Sequence, residues 1–190
     1  ATKLCSDKLF IAANNYSGLK SIFSVVRYGN VMNSRGSVIP FFLKMNKSNS
    51  LNITDKRMTR FNITLKEGVN FVLQCLKESK GGEIFVPKLP SYKIMDLAKA
   101  ISPKARIKLV GKRPGEKIDE EMITSADSVN SLEFKNHYII FASNKSNLYL
   151  FYKNKKRGKT LPPNFSYNSK NNKFLTVAEI KNLIKNTKYA

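Results

Sequence analysis

The sequence predicts an α/β layered fold, and three observations carry that expectation. Short β-branched and aromatic runs alternate with stretches of helical periodicity for more than half of the 190 residues. Hydrophobic residues make up 42% of the chain, with only 7 Pro and 9 Gly, enough to bury one good core or a core with a small appendage. No internal repeat interrupts the alternation, and no apolar run approaches the roughly 20 residues of a membrane-spanning helix.

The elements follow in order. "ATKLCSDKLFIAANNY" reads as a helix already under way: Leu4, Lys8 and Ile11 to Ala12 fall near helical spacing, and Asn14, Asn15 and Gly18 supply stop signals. "IFSVVRYG", residues 22–29, has the profile of a buried parallel strand ending in glycine. "SVIPFFLKM" predicts a helix whose first turn begins near Ser37, and "LNIT", residues 51–54, a brief strand. The clearest helix is "LKEGVNFVLQCLKESKGG": Val69, Val72, Leu73 and Leu76 form an apolar stripe at i, i+3, i+4, i+7, and Gly81-Gly82 ends it. "EIFVPK" follows as a strand, "MDLAKAI" as a helix and "RIKLVG" as a strand of alternating polarity. After Gly111 the pattern loosens. "LEFKNHYIIFA" fits a hairpin or one long strand, and "TVAEIKNLIKNT" a closing helix with Thr176 and Glu179 placed for a capping box.

A formal charge of +21 invites a nucleic-acid reading. Yet the lysines are scattered, and no helix-turn-helix, zinc finger or aromatic RNA-binding pattern accompanies them, so nucleic acid is not the expected partner. "YKNKKRGK", residues 152–159, is a local cluster that reads as a solvated edge, with a contact to another subunit or an anionic partner as the alternative. The two cysteines, Cys5 and Cys75, suggest neither a disulfide framework nor a metal site and are expected in helices as core packing. The reducing cytoplasm is the expected setting. His137, the lone histidine, lies in an apolar run without a nucleophile to serve, so a structural role is expected. Phe41, Phe42, Phe71 and Phe85 are expected in the core.

Three loop clusters carry chemistry. In "RYGNVMNSRGSVIPFF", residues 27–42, Gly29 and Gly36 permit close backbone approach, Asn30 both donates and accepts, and Arg27 and Arg35 can pair with phosphate. Placed at the carboxyl edge of an open sheet, this is a phosphate or cofactor lip, or else an ordinary turn. "TDKRMTRF" gathers basic residues around one aspartate, and "GKRPGEK" sets Arg113 and Glu116 on either side of a Pro-Gly turn. Guanidinium matches diphosphate oxygens and carboxylate accepts from sugar hydroxyls, although a surface salt bridge framing a turn uses the same residues.

Those motifs, with "ATKLCSDKLFIAANNY", "ITDKRMTRFNITLKEGVNFVL", "GGEIFVPKLPSYKIMDLAKA" and "GKRPGEKIDEEMI" in this order, resemble the C-terminal part of the inverting UDP-N-acetylglucosamine 4,6-dehydratases. These belong to the extended short-chain dehydrogenase/reductase superfamily. The resemblance runs from Ala1 to about Ile123 and more loosely beyond. It implies a Rossmann-type fold with a smaller substrate-binding region, the early sheet strands missing. It also implies an NADP-dependent reaction: hydride leaves C4 of the sugar, water is eliminated across C5 and C6, and hydride returns to C6 with inversion at C5. The product is a 4-keto-6-deoxy nucleotide sugar for bacterial glycans, pseudaminic acid among them.

By the same resemblance, Lys3 matches the lysine of the Tyr-x-x-x-Lys motif, contacting the nicotinamide ribose and lowering the tyrosine's pKa. The tyrosine, the glycine-rich NADP turn and the elimination pair are expected outside this chain, leaving it inactive alone and partnered by a missing N-terminal half. Val31 would line the nicotinamide. Asn30, Arg35, Gly36, Ser37, Val38, Ile39 and Pro40 would hold the nucleotide sugar and its phosphates, Thr54 would sit near the nucleotide, Arg60 would reach the diphosphate, and Arg113 and Glu116 would clamp the nucleotide end. Asn62, where relatives usually carry Trp, and Asp119, where some carry His, depart from the pattern. No metal is implied, and the complete enzyme is expected to be a homo-oligomer. The implied organisation is 1–50 as the end of the NADP-binding region, 51–130 as the substrate-binding region, and 131–190 as terminal strands, basic loop and closing helix. A stand-alone UDP-sugar-binding module is the alternative, and a basic nucleic-acid binder a weaker one.

Overall fold

The computed structural model describes residues 2–16, 18, 21–34, 36–45 and 49–186, with the side chains of residues 2–4 left aside. In chain order the elements are α1 (Thr2–Ala13), β1 (Val25–Val26), β2 (Asn30–Val31), α2 (Val38–Met45), β3 (Ser50–Ile53), β4 (Thr59–Ile63) and α3 (Leu65–Glu78). They continue with β5 (Ile84–Pro87), β6 (Ser91–Lys93), α4 (Ile94–Ile101), β7 (Arg106–Leu109), β8 (Glu121–Ile123) and α5 (Ser125–Ser128). The last are β9 (Ser131–Glu133), β10 (His137–Ile140), α6 (Asn147–Asn154), β11 (Lys159–Thr160), β12 (Tyr167–Asn168) and α7 (Val177–Asn186). The α/β class is as expected. The chain forms two compact units interleaved in sequence: Ala1–Tyr28, Gly68–Lys88 and Met122–Tyr167 make the first, and Gly29–Glu67, Leu89–Glu121 and Asn168–Ala190 the second.

The first unit is built on a mixed five-stranded sheet in the order β1-β5-β10-β9-β11. β1 runs parallel to β5, Val25 opposite Ile84, whereas β10 returns antiparallel beside β5 and hairpins with β9. The hairpin reading of "LEFKNHYIIFA" therefore holds. The strand expected over 22–29 shrinks to two half-buried residues. Its Arg27 is committed elsewhere, donating from Nε to Asp7 at 2.8 Å and from an Nη to the Met122 carbonyl at 2.9 Å, which corrects its assignment to phosphate. A fully buried carboxylate anchors the sheet's entry: Glu83 accepts from Ser24 Oγ (2.7 Å), the amides of Lys80 and Gly81 (2.8 and 2.9 Å) and the Tyr152 hydroxyl (3.1 Å).

Several sequence expectations are corrected in this unit. The stripe of α3 faces outward: Val69, Val72, Leu73 and Leu76 are exposed, Leu76 by 72%. The helix instead turns Gly68, Phe71 and Cys75 inward, where a cluster of Phe85, Leu132, Ile139 and Phe141 takes them, because small and flat groups fit closely on an aromatic-rich sheet face. Cys75 is buried, and burial pushes its thiol up to about 12; Cys5, expected in the core, is exposed. Tyr152, expected at a solvated edge, is only 2% exposed, because it lies on helix α6 with its hydroxyl donating to the Glu78 carbonyl at 2.8 Å.

In the second unit, β2 pairs parallel with β4, β4 antiparallel with β6, and β3 parallel with β7. Helices α2, α4 and α7 cover a core of Ile39, Phe42, Leu51, Ile53, Leu97 and Ile180. Phe42 is buried as expected. Its neighbour Phe41, one step around the helix, is 46% exposed, correcting its core assignment. The expected capping box holds α7: the Thr176 amide donates to Glu179 at 2.7 Å, and the Glu179 amide to Thr176 Oγ1 at 3.2 Å. Gly29 does not leave room for a ligand. A Cβ there would stand 2.4 Å from Phe61 Cβ, so the glycine lets β2 approach β4 and sets the position of Asn30.

Candidate functional site

In the second unit, five of the expected site residues, Asn30, Thr54, Arg60, Arg113 and Glu116, meet at one loop, residues 113–120. At its start, Arg113-Pro114-Gly115-Glu116 forms a tight turn. The Glu116 amide donates to the Arg113 carbonyl at 3.0 Å, and Gly115 takes φ +76°, the left-handed geometry that a type II turn demands after proline. The Glu116 carboxylate accepts from the Arg113 amide (3.1 Å) on one oxygen and from Thr54 Oγ1 (3.3 Å) on the other. Glu116 thus braces the turn and ties it to the end of β3, while the Arg113 side chain stands exposed, without an ion-pair partner among the described residues.

The loop's second half is fastened to β4. Arg60 donates from one Nη to the carbonyls of Thr59 and Ile118 (2.7 and 2.8 Å), and from the other to the Lys117 carbonyl (3.0 Å) and Met58 Sδ (3.5 Å). Its Nε lies 3.6 Å from Glu120 Oε1. A guanidinium has five donor hydrogens, and every nitrogen here faces a protein group. Beside it, Thr59 Oγ1 donates to Asp119 at 2.6 Å and shares a 2.6 Å hydrogen bond with the buried Ser169, whose hydroxyl accepts from the Glu120 amide at 2.9 Å. Asp119 therefore has a structural partner in Thr59.

Glu120 then reaches Asn30. With its amide assigned so that nitrogen and not oxygen faces the Glu120 carboxylate, the orientation that satisfies both groups, Asn30 donates from Nδ2 to both carboxylate oxygens at 2.8 and 2.9 Å, at the exposed end of β2. One residue on, half-buried Val31 pairs with Ile63. The chain next turns through Gly36, at φ +76°, into α2. Ser37, half-buried just before that helix, has a hydroxyl that is buried without a hydrogen-bond partner. Val38 and Ile39 lead the first turn, and Pro40, lacking an N–H, leaves no extra donor unsatisfied. The turn thus offers two backbone N–H groups and an orphan hydroxyl, a set suited to an anionic oxygen.

Arg35 lies outside the described residues. Lys3 falls on α1 of the first unit, its side chain likewise outside them. Asn30, Thr54, Arg60, Arg113 and Glu116 share one hydrogen-bonded system, whereas Arg27 belongs to the first unit. Sequence reasoning missed Glu120, Thr59 and Ser169. Glu120 was visible only as the middle of the acidic run 119–121, and the two hydroxyls carried no signal at all.

On the electrostatic side, Asp55 in the neighbouring loop is bound by Arg57, Nη to carboxylate at 2.7 Å, and that hydrogen bond holds its carboxyl down at about 2. Asp55 therefore stays ionised at neutral pH, offset by Arg57. Among the described residues, no group of three His, Cys, Asp or Glu is placed to hold a metal ion, and no helix is long and apolar enough to cross a membrane.

Residues 1–142 match the family model described as polysaccharide biosynthesis protein. Among curated relatives, two inverting UDP-N-acetylglucosamine 4,6-dehydratases of Campylobacter jejuni are 50% and 48% identical, over 90% and 98% of this chain and 54% and 58% of theirs. A UDP-glucose 4-epimerase of Rickettsia bellii is 38% identical over 99% of the chain and 57% of its own length. Among solved structures, the protein Pen of Bacillus thuringiensis superposes with a TM-score of 0.82 at 32% identity, covering 98% of this chain and 56% of Pen. The chain thus spans little more than half the length of the relatives it matches. From the matched model and the shared fold together, the chain belongs to the polysaccharide biosynthesis protein family and has the α/β architecture of the short-chain dehydrogenase/reductases.

Proposed function

We propose that this chain forms the nucleotide-sugar-holding portion of an NADP-dependent, C5-inverting UDP-N-acetylglucosamine 4,6-dehydratase, and that turnover requires the further polypeptide its relatives possess. One observation carries the reading: a single hydrogen-bonded system joins the Arg113–Glu116 turn, Thr54, Arg60 and Asn30. Arg113, exposed and unspent, pairs with the diphosphate. The first turn of α2, with Ser37 Oγ, receives a second phosphate oxygen. Glu116 and Thr54 brace the nucleotide end.

Arg60 serves that site indirectly in this reading. Its donors hold the carbonyls of residues 117 and 118, so the guanidinium positions the loop. Glu120 orients Asn30 toward the sugar phosphate. Lys3 and Val31 would be this chain's contacts with the nicotinamide end of NADP, which supplies the redox chemistry when bound. The described part of the chain shows no phosphate cradle for the dinucleotide. The product, a 4-keto-6-deoxy sugar nucleotide, would serve bacterial glycan synthesis such as that of pseudaminic acid. In this reading the complete enzyme works in the cytoplasm as a homo-oligomer; the free cysteines Cys5 and Cys75 suit a reducing compartment.

Isothermal calorimetry with UDP tests the reading. A charge-assisted phosphate contact contributes about 1.5 to 3 kcal/mol, so Arg113→Ala should weaken UDP binding roughly tenfold or more while leaving the melting curve in place. Unchanged affinity would remove Arg113 from the site. Full dehydratase turnover by the 190-residue chain alone would overturn the need for further polypeptide, and UDP binding without recovered turnover when that polypeptide is supplied would favour a binding module.

A further inference from the structure

The basic run 152–159 has no place in the nucleotide-sugar reading, yet it is fixed in position. Tyr152 is buried at one end of it. Gly158 is buried near the other, where a Cβ would come within 2.7 Å of Phe134 Cζ and 2.9 Å of a Leu132 methyl, so no other residue fits against that ring. The Gly158 amide donates to the Tyr152 carbonyl at 3.1 Å, Arg157 takes the left-handed φ of +56°, and Lys159 pairs with Glu133 as the start of β11. A chain held this way presents its cations at set positions.

Those cations border a cleft of ≈ 690 Å³ in the first unit. Lys88, Lys135, Lys156, Arg157 and Lys159 line it; the acidic residues among its lining are Glu78 and Glu133, the latter already bound to Lys88 at 2.7 Å. The cleft thus carries an excess of three positive charges. The β9–β10 turn that brings Lys135 is itself anchored, by the Lys88 amide donating to the Asn136 carbonyl at 2.9 Å.

A second, independent observation points to a ligand. His137 also lines the cleft, 7% exposed, with its ring stacked on Phe134 at 5.0 Å and 13°. Its Nε2 is buried and has no hydrogen-bond partner. A buried polar nitrogen left unmade costs more than a hydrogen bond returns, so its retention calls for a partner that binds there.

We propose that this cleft is a binding site for a small phosphorylated ligand, its phosphates held by Lys135, Lys156, Arg157 and Lys159 and one oxygen accepting from His137 Nε2–H. The volume suits a small molecule, within the roughly 300–1,000 Å³ of such sites. The cations converge on a concavity instead of tracking along a surface, which separates this ligand from a nucleic-acid backbone. Burial lowers the His137 pKa, so the imidazole is neutral at pH 7 and Nε2 can donate without carrying charge.

The chain has one histidine, so its ring signals are unambiguous in an NMR titration of the full chain with inorganic pyrophosphate. The site predicts saturable shifts of the His137 ring nitrogens together with the amides of residues 134–137 and 156–159. Lys156→Glu with Lys159→Glu, both exposed, should weaken those shifts at least tenfold, and Arg113→Ala should leave them unchanged. His137→Phe should weaken the amide shifts of residues 134–137 and 156–159 several-fold with the fold intact. Non-saturating shifts spread over lysines of both units would overturn the proposal. So would an oligouridylate that occupies the same residues and is not displaced by pyrophosphate.

Discussion

Arg60 separates two roles that the sequence could not distinguish, contact with a diphosphate and support of a loop. Arg60→Met keeps the aliphatic stem and removes the guanidinium. Three carbonyl contacts at 2.7, 2.8 and 3.0 Å are lost, with an ion contact at 3.6 Å. Each charge-assisted bond contributes about 1.5 to 3 kcal/mol when desolvated, but two features discount the sum. The Ile118 carbonyl keeps the Thr59 amide at 3.0 Å, and the exposed Lys117 carbonyl regains water. The net loss should be about 2 kcal/mol, read by urea denaturation and by faster amide exchange at residues 116–120. UDP affinity should fall roughly tenfold, because about 1.4 kcal/mol of loop ordering moves into the binding step. Unchanged stability with UDP binding lost as completely as in Arg113→Ala would refute the supporting role and return Arg60 to the ligand.

Gly29→Ala should destabilise the chain by about 1 to 3 kcal/mol and disturb the Asn30–Val31 pairing with β4, since the new methyl meets Phe61 Cβ at 2.4 Å. A crystal structure or melting curve matching the parent would contradict that close approach. Acid should weaken the fold through His137. Its folded pKa lies below the ordinary 6.5, so below that pH the unfolded chain takes up a proton that the buried ring excludes. Stability should therefore fall as pH drops through 6.5 toward the folded value, and His137→Phe should flatten this slope in urea melts. Glu179, held low by hydrogen bonds from Thr176, acts in the same direction at lower pH. Leu73→Ser with Leu76→Lys on the outward face of α3 should change stability by less than about 0.5 kcal/mol, whereas a larger loss would mean that this stripe is packed.

Much of the architecture was legible because local signals and tertiary demands agree. The cap at Thr176 and Glu179, the strands "EIFVPK" and "RIKLVG", and the Pro-Gly turn before Glu116 each follow from residues within a few positions of one another. The failures share a cause. Periodicity gave α3 an apolar stripe but not the face that meets the sheet, and the flat Phe71 and the small Cys75 won that contact. Tyr152 looked solvated among lysines because its partners, Glu78 and Glu83, lie some seventy residues away. The site shows the same division. Arg113 and Glu116 were visible as a turn motif, whereas Glu120, Thr59 and Ser169 act through pairings across 49 to 110 residues that no spacing rule reveals.

The most direct measurement is a UDP titration of the isotope-labelled chain followed by amide NMR, in the parent and in Arg113→Ala. Saturable shifts are expected at Asn30 and Val31, at Ser37 to Ile39, at Thr54 and along residues 113–120, all weakened roughly tenfold or more by the substitution. Saturation that leaves those amides unmoved, or shifts the same in both proteins, would contradict the claim that this loop system holds a nucleoside diphosphate.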